Sequence, residues 1–218
     1  MPPEPRILAF DTSAAHCAAA LLCGGRITSE RTEIMAKGQA ERLFPMLEDM
    51  LADGGLAWRD LSALAVGTGP GNFTGIRLGV SAARGLALSL GIPAIGVSVL
   101  EAQAFGLSGR VLSLIDARRG QVYAQMFRDG AQEAPELLNR SGIVTRFGGQ
   151  VDCVVGAEAD QFASKLGVSP ASNANCIATQ MARLAASRAV SPQPRPAPLY
   201  LRSADAAPSR DAPPVILA

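Results

Sequence analysis

Residues 6–32, RILAFDTSAAHCAAALLCGGRITSERT, hold two apolar runs and two tight turns. Arg6 to Asp11 and Ala14 to Cys23 are apolar runs of strand length, separated by the polar turn DTSA at residues 11–14. Gly24-Gly25 then leads into a partly alternating run, Arg26 to Thr32. Apolar runs broken by tight turn residues predict a three-stranded antiparallel opening. A strand that ends in Asp at the mouth of a polar turn recurs once: VLSLI (111–115) passes through DARRG (116–120) into QVYAQMF (121–127). Repeated hairpins imply repeated units. The expectation is therefore a mixed α/β chain of two lobes, an N-terminal one over residues 1–106 and a C-terminal one over residues 107–218.

Between the hairpins the period changes. Gln39 to Asp53 places Leu43, Leu47, Met50 and Leu51 on one helical stripe with Phe44 beside it, and Gly54-Gly55 ends it. Pro45 marks either the first turn of that helix or a kink in one that starts earlier. A buried strand is expected at Leu61 to Gly67, a helix at Gly75 to Leu90 and a strand at Pro93 to Val97, and Ser98 with Glu101 has the spacing of a capping box. A strand at 151–155 and helices at 157–166 and 179–189 follow. From Ser191 onward, seven of the 15 prolines fall in the last 28 residues, so an extended tail is expected, docked around Leu199 to Leu201 and otherwise mobile.

Composition excludes several classes. The 218 residues are 48% hydrophobic and 18% charged, and 20 Lys plus Arg against 19 Asp plus Glu leave a net charge of +1. That charge gives no whole-protein field for nucleic acid or an anionic membrane, so RNA contact would have to be local or come through a partner. No apolar run approaches the roughly 20 residues of a membrane span, and Met1 to Pro5 has no apolar leader core, so a cytoplasmic protein is expected. The four cysteines show no CxxC spacing and read as free thiols. His16 is the single histidine, which leaves no pair for an HExxH or Cys2His2 metal site.

The glycine loop GTGPGNFTG, residues 67–75, meets neither common phosphate motif. Walker A needs Lys after its last glycine, where Ile76 stands, and a GxGxxG fingerprint meets Asn72 or Thr74 at its third glycine. Behind the loop, Gly75, Gly79, Ala83 and Ala87 form an i, i+4 row almost without side chains. Close packing on the protein's own sheet or first helix is one use for such a strip; a face for a partner subunit is the other. The second reading nominates Leu43, Phe44, Leu47 and Met50 with Gly75, Ile76, Gly79, Val80 and Ala83. Asp11, Thr12 and Ser13 in the first turn and Asp116 in the second are ordinary turn residues. They are also the candidates for a nucleotide cleft, in which a phosphotransferase or ATPase of this architecture would hold metal-bound phosphate. Ser81 lies in GVSAA, which lacks the second glycine of a nucleophile elbow. Tyr123 and Tyr200 fall in no motif.

The segments ILAFDTS (7–13), ERLFPML (41–47), GTGPGNFTGIRLGVSAARGLA (67–87), IPAIGVSVLEAQA (92–104), IDARRGQVYAQMF (115–127) and PLYLR (198–202) together resemble the TsaB family of bacterial threonylcarbamoyladenosine-biosynthesis subunits. The resemblance implies a two-lobed actin-like ATPase (ribonuclease H-like) fold, mixed sheets flanked by helices. It further implies a non-catalytic subunit without metal or cofactor of its own. Such subunits pair through N-lobe helices with a catalytic TsaD-like threonylcarbamoyltransferase and act with a small TsaE-like ATPase, reaching tRNA only through the complex. Homodimers through the same helices are the competing state. The catalytic relative carries metal-binding histidines; here the stretch before Glu41 has Gln39 and no histidine. An older glycoprotease label for the family finds no supporting residues in this chain.

Overall fold

The computed structural model describes residues 4–128, 131–172, 176–189 and 191–202. Strands β1 (Arg6–Asp11), β2 (His16–Cys23) and β3 (Arg26–Ile34) form the expected antiparallel opening. Helix α1 (Gln39–Asp53), strand β4 (Ala63–Gly67), helix α2 (Phe73–Leu90) and strand β5 (Ala94–Val97) complete a sheet of order β3-β2-β1-β4-β5. After helix α3 (Val99–Ala104) a second sheet begins with β6 (Arg110–Arg118), β7 (Gln121–Arg128), β8 (Ala131–Gln132) and β9 (Glu136–Asn139). It continues through α4 (Ile143–Phe147), β10 (Cys153–Gly156), α5 (Ala159–Leu166) and β11 (Ser169–Ala171), in the order β11-β10-β6-β7-β8 with β9 also on β7. In each sheet the leading strand pairs antiparallel with the next strand and parallel with a later one, β4 for β1 and β10 for β6. The hairpin repeat in the sequence is thus a repeat of topology, and the architecture is the two-lobed actin-like, ribonuclease H-like fold.

The uninterrupted apolar run of β2 follows from burial on both faces. Leu8, Phe10, Cys17, Ala19 and Leu21 face α1 and α2, whereas Ile7, Ala9, Ala18 and Ala20 face helix α6 (Ile177–Arg188). Small side chains on that second face let α6 lie close, with Ala178, Met181, Ala182 and Ala185 against it. A division near residue 107 falls between the two sheets, but α6 returns from the second half of the chain to cover the first sheet.

Several local expectations change. Helix α2 starts two residues before Gly75, because the Asn72 side chain accepts hydrogen bonds from the amides of Thr74 (3.0 Å) and Gly75 (3.4 Å) and caps it. Pro45 lies inside α1 and on its exposed side. Ser98 holds the N-cap position of α3 without a side-chain cap bond, and Glu101 pairs instead with Arg188 of α6, so no capping box forms. The docking expected at Leu199 to Leu201 is seen, while residues 203–218 lie outside the described residues.

Of the nine residues nominated for a partner face, eight are buried in the first lobe's own core: Leu43, Leu47, Met50, Gly75, Ile76, Gly79, Val80 and Ala83. The stripe of α1 and the glycine row of α2 point inward because that is where the first sheet presents its apolar face. Phe44 alone of the nine is exposed, at 38%. Leu47→Ala in the isolated protein is therefore expected to lower stability by about 2–5 kcal/mol, the range for truncating a fully buried leucine; chemical denaturation followed by circular dichroism measures it.

All four cysteines are free. Burial pushes the Cys17 thiol up to about 11, with the charges of Glu33 and Asp11 acting in the same direction. A raised thiol pKa leaves less thiolate at a given pH, about a hundredfold less at pH 8 than for an ordinary thiol. Cys17 is expected to react with iodoacetamide about 100-fold more slowly in the native protein than in urea, as read by mass spectrometry of the alkylated peptides.

Candidate functional site

The candidate site is the cleft between the two sheets, a cavity of about 1320 Å³. From the first lobe Ser13, His16, Asn72 and Arg77 reach it; from the second, Asp116, Arg118 and Tyr123; Leu199 to Arg202 run along it.

At the end of β1 the Asp11 carboxylate is fully buried. Its Oδ2 accepts hydrogen bonds from the Ser13 hydroxyl (2.9 Å) and amide (3.2 Å), and His16 Nε2 lies 2.8 Å away. Asp11 Oδ1 is buried without a hydrogen-bond partner. Thr12 spends its hydroxyl on the Gly75 carbonyl at 2.7 Å.

The glycines of the loop answer to this turn. A Cβ at Gly67 would overlap Asp11 Oδ1, one at Gly71 would overlap the Ser13 carbonyl oxygen, and one at Gly75 would overlap the Thr12 carbonyl oxygen. One at Gly79 would lie 2.9 Å from Thr12 Oγ1. Every fourth residue from 67 to 79 is thus a glycine because the Asp11–Ser13 turn occupies the space a side chain would need, with its backbone at Gly71 and Gly75 and its side chains at Gly67 and Gly79. The Asn72 amide donates to the Ser13 carbonyl at 2.6 Å and closes the contact. Loop and helix form a bed for the DTS turn, which is the packing use of the row.

The four nucleotide-cleft candidates divide. Ser13 and Asp116 line the same cavity, while Asp11 and Thr12 do not. Asp116 is exposed, pairs with Arg140 at 2.8 Å and accepts from the Arg118 amide at 2.9 Å. Among the described residues there is no group of three or more His, Cys, Asp or Glu placed to hold a metal ion. Ser13, His16 and Asp11 are neighbours, but the carboxylate sits between hydroxyl and imidazole. A nucleophilic triad needs the imidazole between them to take the hydroxyl proton.

Sequence reading missed the cluster at the cleft mouth. The Phe73 and Tyr200 rings stack with centroids 5.2 Å apart, and the Arg77 guanidinium lies 3.8 Å over Phe73 and donates from Nε to the Tyr200 hydroxyl at 2.8 Å. Phe73 and Arg77 four residues apart share one helical edge, the only sequence signal for it. Their partner Tyr200 is remote in sequence.

Comparison with known proteins places the chain. The family described as TsaD, tRNA N6-adenosine threonylcarbamoyltransferase, matches residues 27–200. The chain belongs to the TsaD family. Within that family it is similar to the Escherichia coli K12 protein named tRNA threonylcarbamoyladenosine biosynthesis protein TsaB, at 43% identity over 130 residues that cover 57% of this chain and 56% of the relative. The Bacillus subtilis protein of the same name is 39% identical over 125 residues, 56% of this chain and 55% of that one. The matched stretch thus spans little more than half the length of these relatives. Among solved structures, YeaZ from Pseudomonas aeruginosa superposes with a TM-score of 0.72 at 27% identity, over 90% of this chain and all of that one. The family's catalytic label comes with a cleft that here holds one histidine, already engaged by Asp11.

Proposed function

We propose that this TsaD-family chain is a non-catalytic subunit in the formation of threonylcarbamoyladenosine beside the anticodon of ANN-decoding tRNAs, working in the cytoplasm. It binds a catalytic TsaD-like transferase through the outer face of α1 and α2, acts alongside a TsaE-like ATPase and reaches tRNA through the assembly. It holds no metal or nucleotide itself.

The observation that carries this reading is the outer seam of α2. Thr74, Leu78, Ser81, Gly85 and Leu88 recur at spacings of four and three, the pattern by which one helix meets another. Thr74, Ser81, Gly85 and Leu88 are exposed, Leu88 at 85%, and Leu78 is half-buried, its inner side packed on the first lobe's apolar core. Phe44 of α1 adds a further exposed apolar group. Small residues in the middle of the seam leave room for a partner backbone. This seam lies on the opposite side of α2 from the buried glycine row. A second copy of the chain docking on the same seam gives the competing homodimer. The absence of a usable nucleophile–base pair at Ser13 and His16 supports the non-catalytic reading.

Titration calorimetry of the chain with the catalytic homologue from the same cell tests it, and a one-to-one complex is expected. No complex at about 10 µM would overturn the reading. Titration with ATP is expected to give no heat; micromolar binding that Asp11→Ala removes would favour the nucleotide enzyme instead.

A further inference from the structure

We propose that residues 196–202 are a strap that locks the two lobes at one opening. The segment has no helix or strand of its own, yet it is anchored at both ends. On the first lobe Pro196 is buried against Gly96, where a Cβ would stand 3.5 Å from the proline Cα. The Leu199 amide donates to the Thr68 carbonyl at 2.8 Å, and Tyr200 is held by the Phe73 stack and the Arg77 hydrogen bond. On the second lobe Leu201 packs in the cluster of Ala117 and Tyr123, and Arg202 donates to the Ala117 carbonyl at 3.0 Å and to Gln121 Oε1 at 2.6 Å.

Arg202 on the second lobe stands two positions after Tyr200, the last first-lobe anchor, with only Leu201 between them. Two extended residues span at most about 7 Å, so the cleft walls cannot part by more than the slack in that short bridge without breaking an anchor. The prolines at 192, 194, 196 and 198 help a segment with no helix or strand of its own to be ordered. Each fixes φ and removes freedom from the free tail before it docks. Two-lobed folds with a central cleft open and close by hinge motion; here the mouth is tied shut at one width.

Native-state trypsin nicking at Arg118 and Arg119, in the turn that Arg202 braces, reads the lock, with the sites identified by mass spectrometry. The full chain, a chain ending after Arg202 and the double variant Tyr200→Ala, Arg202→Ala are compared. The chain ending at Arg202 is expected to match the full chain, whereas the double variant is nicked about tenfold faster while keeping a cooperative melt, because cleavage follows the population of the open form. Nicking of a folded double variant within about twofold of the full chain would overturn the proposal. Should the double variant lose its cooperative melt, Arg202→Ala, which releases only the second-lobe end, decides by the same comparison.

Discussion

Gly75→Ala is expected to lower the stability of the isolated chain by about 3 kcal/mol or more, beyond the usual cost of overpacking, because the obstacle is backbone. The new methyl would overlap the Thr12 carbonyl oxygen, and that turn is held in place by the Ser13 contact to Asn72 and by Asp11 beneath it. Either the DTS turn or the first turn of α2 has to move. Gly85, ten residues on in the same helix, has nothing within 4 Å of the position its Cβ would take. Gly85→Ala is accordingly expected to raise stability by about 1 kcal/mol, the helix-propensity difference alone. Opposite signs from the same substitution in one helix, read by urea denaturation, separate a bed for the turn from mere tolerance of glycine. Equal effects would show that the glycine row has no special relation to residues 11–13.

Gly85→Arg on the outer seam has open space in the isolated chain, so its fold and melting temperature are expected to stay close to those of the original. In a complex the side chain would stand where the partner helix packs. Affinity for the catalytic homologue should fall at least about 100-fold, some 2.7 kcal/mol, the loss typical of a disrupted interface centre. Leu88→Arg acts in the same direction by removing an apolar contact at the end of the seam. Normal affinity in both variants would remove the seam from the interface.

The opening hairpin, both sheets' leading strands and most helices were legible because they rest on local signals: apolar period, turn residues and glycine stops. The topology repeat was legible from two apolar runs that each lead through Asp into a polar turn, although β6 runs on through Asp116 to Arg118. What the period cannot tell is which side of a helix meets the protein's own sheet when both sides suit packing. On α2, Gly75, Gly79 and Ala83 suit close approach inside, and Ser81 and Gly85 suit it outside. The buried turn at Thr12 selects the first set for the core, and that turn lies more than sixty residues away in the chain. Docking near Leu199 to Leu201 was legible, but the return of α6 to the first sheet and the groups that anchor Tyr200 and Arg202 were out of reach for the same reason: those partners are remote in sequence.

On the proposed reading the chain supports the transfer without performing it. The most direct measurement is a threonylcarbamoylation assay on an ANN-decoding tRNA transcript with purified catalytic homologue and ATPase subunit, run with no added chain, with the original chain and with Gly85→Arg. Modification is expected only with the original chain, and Asp11→Ala or Ser13→Ala variants that remain folded should still support it. Full modification without the chain, or its loss in a folded Ser13→Ala variant that still binds the homologue, would contradict the account.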